Sequence, residues 1–436
     1  MGNHMKRIFS IVLTAAMAMT LLSTQASAVA PARYQALGAT IGYVDDGTAL
    51  RFNPAGLSYV ENGSFSVSFS PIFGGIHAPI IGKDNVLREN VADRQLDSEP
   101  IFGPGFMLST AYRVADWMTL GLAIYPVIAG GADYRYMQDP DSPDDPAIQD
   151  KTYKLHAEVA PGLSFNVPRS AIGGQHLSLG VAYRIGYGNL LRLKGNPDDP
   201  DIVNIDAKGF DFGGITVGLQ YEPIPEIQLG LVYRHKVKVD MSGDTGLIRV
   251  GPTLIDGPVT SDLVYPSMLG FGLRANLGDF SVVADLEYEF NNQVDITVTK
   301  IDNGQAWIKS DYAEDGIMPL LATYKYVDSI NVKSGVEYRI NDQWAAQGGY
   351  TWLQTPANRM YPTPFGAPPS DNHIASVGGS YDAGDWKMNL AYTFRYAETE
   401  IVTEDITGAI ECNICTEEGL YTLILQGVHV DFSTDF

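Results

Sequence analysis

From residue 64 to its end this chain repeats one pattern. Apolar and polar residues alternate with a period of two, over segments long enough to cross a bilayer as tilted strands, for which about 9–11 residues suffice. Across 387–395, Met388, Leu390, Tyr392 and Phe394 share one face while Lys387, Asn389, Thr393 and Arg395 share the other. Across 280–290, Phe280, Val282, Leu286 and Tyr288 oppose Asp285, Glu287 and Glu289, and the same split recurs at 176–187 and 330–339. Alternate side chains of a strand point to opposite faces, so here one face suits lipid and the other a wet lumen. Helical periodicity is nearly absent. Past the first thirty residues no apolar run approaches the roughly 18–20 residues that a spanning helix requires. Any membrane span is therefore β.

Candidate strands fall at 64–73, 102–113, 118–128, 153–167, 176–191, 209–221, 227–239, 262–275, 280–298, 323–340, 343–353, 372–381, 386–397 and 420–436, 14 in all. Single-chain bacterial barrels require an even number. The links between them alternate in length. Short ones sit at 114–116, 168–175, 222–226, 276–279, 341–342 and 382–385, and long polar ones at 130–152, 195–208, 241–261, 299–322, 354–371 and 398–419. Outer-membrane barrels have short periplasmic turns and longer extracellular loops, whereas a soluble sandwich has no reason to sort loop length by parity. The predicted fold is all-β: a 14-stranded antiparallel transmembrane barrel over 63–436, in the outer membrane of a Gram-negative cell. Val428, Val430, Phe432 and the terminal Phe436 share a face, an ending that resembles the signal read by the barrel assembly machinery. That machinery, outer-membrane lipid and lipopolysaccharide are the expected partners, and a monomer the expected state.

The first residues agree with export. Lys6 and Arg7 precede an apolar run over 8–22 that ends in small residues at Ala26, Ser27 and Ala28, the layout of a secretory signal peptide. Cleavage after Ala30 would put Pro31 beside the scissile bond, so 1–28 is the expected leader and Val29 the mature start. If Met5 is the natural start, residues 1–4 are an added remnant or belong to an upstream start. Only 18% of residues are charged, below the roughly 25% of soluble domains. A net charge of −22 argues against nucleic acid, whose phosphates need a basic surface. Cys412 and Cys415 form a CxxC in an exported chain, so a local disulfide is the plain reading. Redox catalysis or metal binding would need a thioredoxin-like helix or two more ligands. The Asp-rich stretches at 139–146 and 196–201 lack EF-hand spacing. No metal and no cofactor is expected.

Residues 29–62 hold no convincing strand but carry Asn53, Pro54, Ala55, Gly56 and Leu57, preceded by Asp46, Thr48 and Ala49. A 14-strand barrel encloses a lumen too wide for its own side chains to fill, so this segment reads as a plug. The NPAGL run resembles the hatch motif of the FadL-type transporters of long-chain fatty acids and other hydrophobic compounds. Further matches lie at 233–244, 266–285 and 355–384. The chain departs at Asn372 and His373, where relatives often carry an Asp–Arg pair. The resemblance implies an uptake channel rather than an enzyme.

Pro126 sits within the third predicted strand. Proline cannot donate to a ladder and belongs at edges or bulges, yet a closed barrel has no edge. The strand must kink or lose pairing near Tyr125 and Pro126, with Gly130 and Gly131 permitting the bend. In the resembling family the third strand bends inward and opens a hole through which apolar cargo leaves sideways into the membrane. Phe73, Ile76, Ile80, Ile81 and Phe365 are candidates for capturing it, and Arg184, Arg234, Lys333 and Arg339 for holding a carboxylate head group. Two other readings compete. A lipid-acting barrel enzyme would need a Ser–His or Asp–His pair, which the scattered histidines do not suggest. A general porin for polar solutes fits poorly with a plug and a proline-broken wall.

Overall fold

The computed structural model describes residues 30–80, 95–136, 147–196, 199–250, 253–305, 316–366, 368–409 and 418–436. The expected leader, Ile81, the Asp-rich stretch at 139–146 and both cysteines lie outside the described residues.

Fourteen antiparallel strands close into one barrel. They are β1 (Gly63–Pro79), β2 (Ile101–Ala115, with a short upper piece Gln95–Asp97), β3 (Met118–Tyr136), β4 (Ile148–Asn166), β5 (His176–Asn196) and β6 (Asp199–Ile224). Four interrupted strands follow: β7 (Ile227–Arg234 and Val237–Val250), β8 (Thr253–Tyr265 and Met268–Leu277), β9 (Phe280–Glu289 and Ile296–Gln305) and β10 (Gly316–Thr323 and Ser329–Arg339). The circle ends with β11 (Trp344–Leu353), β12 (Asn372–Asp382), β13 (Trp386–Ile401) and β14 (Gly419–Asp435). β1 pairs with β14 from Ser64↔Asp435 to His77↔Thr422. Gly63 and Phe436 exchange backbone hydrogen bonds of 2.8 and 2.9 Å, so the barrel seam is sealed at its lower end.

The alternation read from the sequence is the inside-out pattern of a membrane barrel. Leu390 is 53% exposed while its neighbour Asn389 is 6% exposed. Phe280, Val282, Leu286 and Tyr288 likewise point outward, and Asp285 and Glu287 are buried inside. His429 and Asp431 face inward on β14, as expected.

Two expected loops prove to be strand. β5 and β6 stay paired up to Asn196↔Asp199, and β7 and β8 up to Val250↔Thr253, so most of 195–208 and 241–261 extends the wall. β3 also continues past 128 to Tyr136. Above the bilayer both faces of a strand meet water or loops, so the apolar–polar contrast fades while the backbone ladder continues. Conversely, the single segments expected at 280–298 and 323–340 are broken, and β7 and β8 are interrupted too.

Residues 30–62 fill the lumen. Helix α1 (Ala32–Leu37), helix α2 (Ala49–Phe52) and a 3-10 helix (Pro54–Tyr59) form the hatch. Ala36, Leu37, Leu50, Ala55 and Leu57 have no accessible surface. The core of Leu37, Leu50 and Leu57 runs through the hatch to wall residues Met107, Ala123, Tyr125 and Val127.

The hatch seat and the parted wall

The hatch motif is built from backbone chemistry. Asn53 accepts from the Ala55 amide at 3.2 Å, capping the 3-10 helix, and Pro54 takes the first position, where its missing N–H costs nothing. The Asn53 amide then donates to Ile41 O (2.9 Å) within the hatch and to Leu219 O (3.1 Å) on β6. Ser178 of β5 donates to Ala55 O at 3.0 Å.

Close approach to the wall requires the wall to lack side chains. A Cβ on Gly218 would lie 2.0 Å from Asn53 Oδ1, one on Gly180 2.2 Å from Ala55 N, and one on Gly230 2.1 Å from Ile41 O. Gly272, Gly335 and Gly349 would likewise meet hatch backbone at 2.2, 2.3 and 2.6 Å. These glycines form a seat that runs around the inner wall. Gly218→Ala, the smallest intrusion, is expected to loosen the Asn53 anchor. Liposomes carrying this variant should then swell faster in small polar solutes than liposomes carrying the parent.

Charged contacts hold the hatch's lower side. Arg33 meets Glu337 at 3.2 Å and Asp45 at 3.5 Å, and its amide donates to Asp431 at 3.3 Å. Asp285 of β9 accepts from the amides of Thr40 (2.5 Å) and Ile41 (3.0 Å). Beneath lies a cavity of about 670 Å³ facing the short-turn end, lined by Asp45, Asp46, Glu337, Arg339 and Asp435 among others. Burial, and then the neighbouring Asp45, push the Asp46 carboxyl up to about 7. Its folded value lies above its unfolded one, near 3.9. The hatch is therefore most firmly seated below the unfolded value, and the advantage is lost as pH rises through about 7. Hatch amides, corrected for intrinsic rates, should exchange more slowly at about pH 5.5 than at about pH 8, and Asp46→Asn should flatten that difference.

The wall parts where the proline lies. β2 and β3 pair from Ala115↔Met118 up to Leu108↔Ile124. Above that point β2 pairs on with β1, through Ile101↔Gly74 and then by its upper piece to Gln95↔Pro79, and β3 pairs on with β4 after a bulge between Pro126 and Ile128. β3 is thus unpaired from β2 above Ile124 until Glu99 N donates to Asp133 O at 2.7 Å, which closes the gap at its top. Gly130 and Gly131 pair in regular register with Lys154 and Tyr153, and the irregularity in the ladder lies at the Pro126 bulge. On the far side of β4, pairing skips Ala160 and Pro161 and resumes in the same register, a local gap only.

Beside the parting is a buried ionic cluster. Tyr125 donates to Glu158 at 2.9 Å. Glu158, with no accessible surface on its side chain, is gripped by Arg184 at 2.6 Å and by Arg234 at 3.0 Å. The hatch reaches in through Arg51, which donates to Pro126 O at 2.7 Å and lies over the Tyr125 ring at 4.8 Å.

The proposed cargo residues scatter. Ile76 and Ile80 are buried in an apolar cluster above the hatch with Tyr134, Leu155 and Leu423, against which Phe365 packs from the 354–371 loop. Phe73 instead faces outward, 5.2 Å from Phe102. Of the proposed head-group cations, Arg184 and Arg234 are held by Glu158, Lys333 is held by Glu287 at 2.6 Å, and Arg339 is exposed at the lower mouth. Asn372, at the point of departure from the family pattern, accepts from Arg395 at 2.8 Å. Sequence reasoning missed Arg51, Glu158 and the glycine seat. It also saw no Ser–His pair, yet Ser58 and His176 lie 3.0 Å apart. Both are buried, 1% and 7% exposed, where they pin the end of the hatch to β5 out of reach of a substrate.

The model of the outer membrane protein transport family (OMPP1/FadL/TodX) matches residues 10–414. The chain belongs to this family. Among solved structures similar to this OMPP1/FadL/TodX member is a Pseudomonas aeruginosa FadL homologue, 14% identical, covering 95% of this chain and 100% of its own, with a TM-score of 0.69. The P. putida toluene transporter TodX is 16% identical over 93% and 98%, at 0.66, and the Ralstonia pickettii toluene transporter TbuX 17% over 93% and 98%, at 0.60. No curated protein is close enough in sequence to count as a match. Family membership places the barrel in the outer membrane as a transport protein.

Proposed function

We propose that this barrel takes up small hydrophobic molecules and releases them sideways into the outer membrane. The observation that carries the reading is the loss of pairing between β2 and β3 above Ile124, beside Pro126. Cargo would be caught by the apolar upper wall around Ile76, Ile80 and Phe365 and steered by the hatch toward the parting. A sideways exit suits greasy cargo, because an aqueous route would have to solvate each methylene at about 0.8 kcal/mol.

Cargo without charge is favoured. Arg184, Arg234 and Lys333 are each engaged by a carboxylate of the wall, so a carboxylate head group would have to displace Glu158 or Glu287. The toluene transporters among the similar structures make small hydrocarbons the first cargo to try. In a deletion strain carrying the gene on a plasmid, radiolabelled toluene should accumulate faster than in the empty strain, and oleate should gain less. Release of free fatty acid from a labelled ester lipid by the purified barrel would instead indicate a lipid hydrolase, and equal gains for polar sugars would indicate a porin.

A further inference from the structure

Among the described residues Arg51 is the hatch side chain that hydrogen-bonds to the broken strand, and its surroundings are unusual for a buried arginine. It is 5% exposed, yet among the described residues it makes no ion pair. Its contacts are the faces of Phe52 (5.3 Å) and Tyr125 (4.8 Å) and one peptide carbonyl, that of Pro126. Peptide carbonyls in a barrel wall are normally taken by the adjoining strand. Here β2 has stopped pairing two residues earlier, at Ile124, and an arginine from the plug receives the carbonyl instead. The same guanidinium covers Tyr125, whose hydroxyl is fixed by Glu158, so the strand is held from its carbonyl and from its neighbouring ring. The contrast with Arg33, tied to two carboxylates, is that Arg51 can let go without stranding an opposite charge.

We infer that Arg51 is a positioning residue that keeps β3 parted from β2 while the hatch is seated, so that the sideways gap exists only when the lumen is plugged. When the hatch leaves, Pro126 loses its substitute donor, β3 swings toward β2, and the wall seals. The axial path and the sideways path are then never open together. This rests on the sideways-exit reading for its use, but the strand movement can be read without any cargo.

Extending the β2–β3 register from Leu108↔Ile124 brings Gly105 opposite Val127, and both face inward. In a background with Cys412→Ser and Cys415→Ser, the pair Gly105→Cys and Val127→Cys reports closure by disulfide formation in assembled outer membranes. With Arg51 present the cross-link should form slowly. Arg51→Met should speed it about tenfold or more, and Arg51→Lys should restore slow formation, since a lysine keeps a charged donor. Gly218→Ala, which dislodges the hatch by a different route, should also speed it. Gel mobility of the unheated barrel confirms assembly for each variant. Equal cross-linking rates in the parent, Arg51→Met and Gly218→Ala would overturn the inference while leaving sideways exit intact. Faster cross-linking in variants that still take up cargo at the parent rate would uphold the strand movement and overturn sideways exit.

Discussion

Uptake of apolar cargo is expected to fall about tenfold or more in Pro126→Val, equivalent to roughly 1.4 kcal/mol on the transport barrier. Valine restores the amide that proline lacks and favours extended backbone, so the β2–β3 ladder can grow past Leu108↔Ile124. The glycine seat is untouched and only the Arg51 contact at the carbonyl of residue 126 is affected, so the barrel should assemble in normal amount and keep its heat-modifiable mobility. The measurement is initial uptake of labelled toluene at matched outer-membrane levels. Unchanged uptake in Pro126→Val would sink the sideways route, whatever the strand geometry.

The largest loss of stability is expected from Glu158→Ala. Glu158 is the carboxylate on which Arg184 and Arg234 both close, and removing one member of a buried ion cluster leaves uncompensated charge, costing roughly 3–5 kcal/mol. Urea titration of the barrel in micelles should show the midpoint moving down accordingly. The triple change Glu158→Leu, Arg184→Met and Arg234→Met should recover most of the loss, because apolar replacement of a whole buried cluster is often neutral or better. If Glu158→Ala unfolds like the parent, the three charges are solvated in the membrane and the cluster holds nothing.

Legibility in the sequence followed the solvent. At 280–290 and 387–395 lipid lies on one side of the wall and polar hatch contacts on the other, so the residues had to alternate and the strands could be read directly. At 199–208 the wall stands clear of the apolar belt, the contrast vanishes, and strand resembled loop. Pro126 was readable because its defect is local and chemical. Arg51 was not, since its acceptor lies 75 residues away. Arg184 and Arg234 were seen as lumen cations, but their partner was set by inter-strand register, which alternation does not encode. The arrangement of wall glycines as a seat depended on which strands become neighbours.

A dock made by leaving side chains out has an unusual tolerance. Most of its contacts are with the main chain of the visitor, the Asn53 side chain opposite Gly218 excepted, so elsewhere along the hatch a changed side chain disturbs the seat less than a filled wall position. Anyone wishing to make such a channel leak should crowd the wall rather than trim the stopper.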